Sequence, residues 1–267
     1  MQISIITATY NAAATIADCQ ASVRAQTVPV EHLIIDGAST DNTLDIIERS
    51  TFNVYQSPMS GPLIYSEPDR GIYDAMNKGI WLATGDIIGI LNSDDFYADE
   101  RVLERVLAAF DDPSVMCCYG DLEYVKDALE TQNEKQNFTT VRYWQSGLFS
   151  PGRFKMGWMP PHPTFFVRRQ VYEQYGGFRL DMGSAADYEL MLRLLHRHRI
   201  PAAYIPEVLV RMRVGGESNA TLKNRFRANR MDRRAWEING LKPYPWTFLL
   251  KPLRKVPQWF RRSGSKF

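Results

Sequence analysis

The stretch Ile87-Ile88-Gly89-Ile90-Leu91-Asn92-Ser93-Asp94-Asp95 runs from five apolar residues straight into four polar ones. A short apolar run bounded by turn-forming residues reads as a strand buried on both faces. Two carboxylates directly behind it make a hard-oxygen site for Mg2+ or Mn2+. Such a cation keeps several waters and binds through one or two carboxylates plus a substrate's phosphates. An isolated Ser-Asp-Asp reads equally well as the N-cap of a following helix. Its place at a strand end favours the cation.

The same pattern repeats on the N-terminal side. Residues 3–8 form an apolar run with Asn11 just beyond. Residues 32–36 form a second, ending in Asp36-Gly37-Ala38-Ser39-Thr40-Asp41-Asn42, and residues 63–66 a weaker third. Apolar spacing predicts helices over 15–26, 43–49, 72–83 and from Asp99 to about Phe110. Short strands alternating with helices mean βαβ units and a mostly parallel central sheet flanked by helices. Ligands bind such sheets at the carboxyl ends of the strands, and the polar clusters after the first, second and fourth strands all fall on that edge. Beyond them the pattern loosens. Strands are expected at 116–119, 164–167, 203–205 and 208–212, a polar stretch at 130–137, and helices at 186–196 and 222–240.

With 267 residues, 45% of them hydrophobic and 23% charged, the chain can bury a substantial core. The predicted division is a catalytic domain over 1–220 and a basic, aromatic extension over 221–267. Cys19, Cys117 and Cys118 form no paired CxxC pattern, which argues against a zinc site or a disulfide framework and for a reducing compartment. The first residues lack the marks of a signal peptide, and no run of 18 apolar residues occurs, so a cytoplasmic protein is expected. Charge is uneven. Residues 223–267 carry 13 Lys and Arg against 2 Asp and Glu, while residues 1–222 carry 19 against 28. Residues 241–262 interleave Trp246, Phe248, Trp259 and Phe260 with basic groups, the composition of a segment lying on an anionic inner-membrane surface. The alternative is a tail packed on the body. No recognised nucleic-acid module is present, so nucleic acid is not an expected partner. No heptad is sustained over 222–240, and the sequence assigns no oligomeric state.

Several residues have the chemistry to act at the predicted edge. Asp36, at a strand tip, can accept from a ribose or a base, with Gly37 admitting close backbone approach. An ordinary turn explains the same residues. In the run from Ser66 to Gly79, Arg70 or Lys78 can meet a phosphate and Asn77 can read a base; a solvated helix start is the bland reading. His162, held between prolines, can serve as a third metal ligand beside Asp94 and Asp95 or touch a diphosphate. Asp187 is the candidate general base for an attacking hydroxyl; an acid favoured by the helix macrodipole is the alternative.

At these residues the chain resembles glycosyltransferase family 2, with the GT-A fold. The resemblance runs over about residues 1–215 and rests on Thr7-Ala8-Thr9-Tyr10-Asn11, on Asp36 to Asn42, on Asn77-Lys78-Gly79 with Ala83-Thr84-Gly85-Asp86, on Ser93-Asp94-Asp95, and on Ala186-Asp187-Tyr188-Glu189. The run from Ser66 to Gly79 is similar to bacterial members that build exopolysaccharides, lipopolysaccharides or glycolipids, including those of colanic acid synthesis. The resemblance implies a nucleotide-diphospho-sugar donor, a Mn2+ or Mg2+ cofactor, a glycan or lipid-linked acceptor and an inverting, single-displacement transfer. Thr7, Thr9, Asp36 and Asn77 would hold the nucleoside, with Tyr10, Ser39, Asp69, Arg70, Lys78 and Ser93 completing the donor site. Asp94 would be the metal-binding Asp of the family's Asp-x-Asp motif. The first position of that motif is Asn92 here, and Asp95 offers a substitute carboxylate. Asp187 would be the base.

Rival classes fit less well. The turn after the first strand has no glycine between Thr7 and Ala14, so the dinucleotide fingerprint of an oxidoreductase is absent. A nucleotidyltransferase needs a basic, Gly-rich loop at the same place. A non-catalytic nucleotide-sugar-binding module would share the donor edge and lack a need for Asp187.

Overall fold

The structure, a computed structural model, describes residues 1–52, 61–127, 138–215 and 222–259. The predicted polar stretch 130–137 lies outside them, as do residues 260–262 of the basic arm.

Strand β1 (Ile3–Thr9) is buried along its whole length. It has parallel neighbours on both sides, β2 (Val30–Asp36) and β4 (Ile87–Ile90), and β3 (Leu63–Ser66) adds to β2. This explains why the sequence there is continuously apolar rather than alternating. Helices α1 (Ile16–Arg24), α2 (Thr43–Phe52) and α3 (Ile72–Leu82) make the crossovers. Helix α3 lies hard on the sheet at Gly79, where a Cβ would sit 2.4 Å from Ile6 Cγ2.

The second half departs from a plain alternation. The full order is β3-β2-β1-β4-β8-β6-β9-β5, with β7 (Phe138–Trp144) on the other side of β6 (Cys117–Asp127). Strand β8 (Phe166–Arg168) runs antiparallel to both β4 and β6, so it separates the parallel set β3-β2-β1-β4 from a second parallel pair, β6 with β9. Strand β5 (Asp95–Tyr97) falls where a loop and an early helix start are read from sequence. It pairs antiparallel with Val210–Met212 of β9 (Ala202–Arg213), and α4 (Val102–Ala109) begins only after that pairing ends. The two strands expected at 203–205 and 208–212 are one, with a register jump around Pro206 opposite Gly120. Residues 186–196 are helical as expected, but α6 (Ala186–Met191) widens into a π-helical turn at Leu192–Arg197. Helix α5 (Arg169–Tyr175) is unforeseen.

The C-terminal segment is docked. In α7 (Leu222–Ile238), Ala235 and Trp236 are fully buried, and Phe248 of α8 (Thr247–Leu253) joins them in a cluster that includes Met76, Ile90 and Tyr188. Trp236 donates to the Tyr188 hydroxyl at 2.8 Å. All three thiols lie in the interior, and burial raises the pKa of each, that of Cys19 to about 12.

His32 of β2 shares a hydrogen bond with the Thr7 hydroxyl at 3.0 Å, and burial lowers its pKa to about 4. The unfolded chain takes up that proton near pH 6.5, whereas the native ring resists it. Stability from this group is therefore complete above pH 6.5 and is lost as pH falls toward 4. Between pH 7.5 and pH 5 the loss is about 2 kcal/mol, and His32→Gln should flatten that part of the profile. Urea midpoints at the two pH values measure it.

Candidate functional site

The parallel register places Thr9, Asp36 and Ser66 side by side at the carboxyl edge. Asp36 has no exposed surface. It accepts the Ser39 N–H at 3.0 Å, the Ser39 hydroxyl, and the Ser66 hydroxyl at 2.7 Å. Three donors hold its carboxylate in one orientation and lock together the loops after β2 and β3. Asn11, at φ 50°, clips on the loop after β1: its side chain accepts the Thr40 N–H, and its own N–H donates to Ser39 Oγ, both at 2.8 Å. Gly37 forms the floor. A Cβ there would lie 2.6 Å from Asp69 Oδ2, so only glycine lets Asp69 reach in, and the Tyr10 ring approaches the same point. Tyr10 is itself 62% exposed and offers a face to a flat ligand. Thr9 Oγ1 is buried with no partner among the described residues.

Other expected donor contacts are placed differently. Thr7 is fully buried, and its hydroxyl meets His32 and Cys19, so it faces the interior. Asn77 accepts the Phe178 N–H at 2.8 Å and donates to the Phe178 carbonyl at 2.9 Å, tying α3 to the loop before α6. Arg70 pairs with Asp74, and Lys78 with Glu67 at 2.8 Å. Exposed pairs of this kind are worth little and exchange readily for a phosphate.

The two adjacent acids have opposite fates. Asp94 is half-buried. Burial lifts its carboxyl above the usual range, opposed by its own backbone N–H and by the Arg213 charge. Asp95 belongs to β5 and is fully buried; burial first and Asp94 second push its carboxyl far up. It accepts from Asn92 Nδ2 at 2.9 Å, while Asp95 Oδ1 and Asn92 Oδ1 have no partner among the described residues. Ser93 stands half-buried between these groups.

Asp187, half-buried in the first turn of α6, gathers a second group. The Tyr73 hydroxyl is pushed up by burial and then by the Asp187 charge; burial pulls the His162 ring down against the opposing pull of Asp187. Both rings pack on Phe178, Tyr73 at 5.3 Å and His162 edge-on at 5.4 Å. His162 thus stands with Asp187, and among the described residues no three His, Cys, Asp or Glu side chains converge as a ready-made metal cluster. Burial raises the pKa of the Tyr124 hydroxyl on β6, Arg142 opposes, and the charges of Asp95 and Asp187 add to the rise. Tyr73 and Phe178 were missed at the sequence level, although Tyr73 lies inside the quoted run from Ser66 to Gly79.

The description "Glycosyl transferase family 2" matches residues 4–176. The chain belongs to this family. A PGL/p-HBAD biosynthesis glycosyltransferase of Mycobacterium bovis is 30% identical over 226 residues, covering 84% of this chain and 81% of the relative. The O-antigen biosynthesis protein RfbC of Myxococcus xanthus is 28% identical over 82% of this chain and 16% of its own length. Among solved structures, S. aureus TarS 1–349 superposes with a TM-score of 0.65 at 15% identity, over 96% of this chain and 72% of TarS. The Pyrobaculum calidifontis mannosyltransferase PcManGT, in complex with GDP-Man and Mn2+, gives 0.63 at 19% identity, over 97% and 69%. The fold of this glycosyltransferase is GT-A.

The buried Asp95 carboxyl keeps its proton to higher pH in the folded chain than in the unfolded one. Ionising it at neutral pH therefore opposes folding of the ligand-free enzyme. Asp95→Asn should raise stability at pH 7.5 by about 1–3 kcal/mol. The gain should vanish below about pH 4, where both chains carry a neutral group. Thermal melts at the two pH values decide it.

Proposed function

We propose that this glycosyltransferase moves a sugar from a nucleoside-diphosphate donor to an acceptor hydroxyl with inversion, in the synthesis of a cell-surface glycan or glycolipid. The observation that carries the reading is the row of Thr9 and Asp36 at the carboxyl edge of the sheet, with Asp94 in the loop after β4 and a further carboxylate, Asp187, set among Tyr73, His162 and Phe178. Asp187 takes the proton from the attacking hydroxyl, and Tyr73, on one side of it, and His162 fix its surroundings. A base on one side and a leaving diphosphate on the other suit a single in-line displacement. The TarS structures with UDP and UDP-GlcNAc and the PcManGT complex with GDP-Man support a nucleotide-sugar donor. The PGL/p-HBAD and O-antigen relatives support a glycan or lipid-linked acceptor.

The residues present fit a divalent cation. One partly exposed carboxylate, Asp94, and buried oxygens of Asn92 and Asp95 that lack partners among the described residues lie within four positions of one another. They would hold Mn2+ or Mg2+ together with the donor's phosphates, and the ion would neutralise charge on the departing diphosphate.

An anionic membrane surface suits the C-terminal arm. Helix α8 turns Thr247 and Phe248 inward and bonds Lys251 to Asp232 at 2.7 Å. Trp246, Leu249 and Leu253, at spacings of three and four, point outward, with Leu249 69% exposed; Val256 and Trp259 continue the exposed row beside Arg254 and Lys255. Aromatics and leucines flanked by cations match a phospholipid surface. No helix among the described residues is long and apolar enough to cross a membrane. Leu249→Glu with Leu253→Glu should remove sedimentation with phosphatidylglycerol vesicles while leaving the melting temperature unchanged; equal sedimentation would sink this assignment.

Calorimetry with UDP, GDP, TDP and CDP, each with and without Mn2+, tests the donor site. One nucleotide should bind with metal, and Asp94→Ala should abolish that binding. Asp187→Asn should keep it while turnover falls by about 10²- to 10⁴-fold. A turnover unchanged in Asp187→Asn removes the base assignment.

A further inference from the structure

Arg142 of β7 faces Tyr124 across the β6–β7 pair, just before the register slips between Tyr124 and Val125. Its guanidinium carbon lies 3.7 Å from the centre of the Tyr124 ring, and the Trp259 ring stands 5.9 Å away on the C-terminal arm. Two aromatic faces thus hold the guanidinium and leave its N–H edge for other partners. Nε is buried with no partner among the described residues. The neighbouring arginines differ. Arg211 is bonded to Glu123, and Arg213 to Asp18 and Asp127. No such ion pair is formed by Arg142 among the described residues, and burial lowers its pKa with only the Tyr124 oxygen opposing.

A half-buried cation without an acid beside it is costly unless an anion arrives. The planar fork of a guanidinium matches a phosphate. The Tyr124 ring that supports Arg142 belongs to β6, and the charges of Asp95 and Asp187 also reach its hydroxyl. The arm approaches the guanidinium through Trp259.

We propose that Arg142, packed on Tyr124 with Trp259 nearby, is the anchor of a phosphate subsite on the β6–β7 face of the enzyme. The phosphate has two sources, the donor's diphosphate or a phosphate carried by an isoprenoid acceptor. Which of them reacts depends on the transfer proposed above; the existence of the subsite does not.

The test is calorimetric titration of the full chain, Arg142→Gln and Arg142→Lys, with three probes: the nucleoside diphosphate that binds with Mn2+, inorganic pyrophosphate, and farnesyl phosphate. Arg142→Gln should weaken at least one probe by about ten- to hundredfold, the loss of one charge-assisted contact. Arg142→Lys should restore part of it, and melting temperatures should stay close to wild type. A loss confined to the diphosphates names the donor as the source; a loss confined to farnesyl phosphate names the acceptor. Wild type and both variants binding every probe equally would overturn the subsite, as would a shift in melting temperature with no change in any titration. Should wild type bind no nucleotide yet lose farnesyl phosphate or pyrophosphate on substitution, the donor reading fails and the subsite stands.

Discussion

The in-register parallel pairing of β2 with β1 on one side and β3 on the other is the constraint on which the rest of the structure depends. It brings Thr9, Asp36 and Ser66 into one row, and that row makes three separate loops into one edge. Asp36 then does structural work before any ligand arrives. It has no exposed surface and three donors on its side chain, and the cost of burying it is offset by fixed hydrogen bonds. The loops it gathers are pre-set in shape, which limits the entropy lost when a nucleotide binds.

The reaction side is built by a different logic. There, the docked helix α7 and the helical turns flanking α6 pack together. Asp187 is framed by Tyr73 from α3, by His162 from the segment before β8, and, one layer behind, by Tyr188, which carries both the Trp236 N–H and, 3.8 Å above its ring, the Lys251 ammonium. The proposed donor edge comes from contiguous βαβ units, and the surroundings of the proposed base from residues brought together over long separations. The arm that presents an apolar row outward also closes the core behind Asp187.

This division decided what could be read from sequence. Local signals, apolar runs ending in Asn11, Gly37 or Asp94, gave the parallel half and the polar edge at its strand ends, where Asp36 and Asp94 stand. Strand β5 was missed because Asp95-Phe96-Tyr97 becomes a strand only by pairing with residues more than a hundred positions away. The burial that separates Asp95 from Asp94 follows from that pairing. Asn77 shows the same limit. Its motif was legible, but its engagement with Phe178 is a contact across 101 residues. Arg142 carried no local signal at all, since its meaning lies in the rings around it.

The buried thiols have a consequence for how this protein can be observed. Cys19 lies under Thr7 and within the electrostatic reach of Asp94 and Asp95, while Cys117 and Cys118 sit at the sheet's centre. With their pKa values raised, they are almost wholly protonated at neutral pH, and only a thiolate attacks an alkylating reagent. Labelling therefore waits on local opening, of α1 from the sheet for Cys19 and of β6 for Cys117 and Cys118, and its rate is a clock for that opening. Because Cys19 adjoins the donor edge and the other two lie away from it, one reagent and a mass spectrometer resolve how far stiffening by a bound nucleotide spreads through the protein.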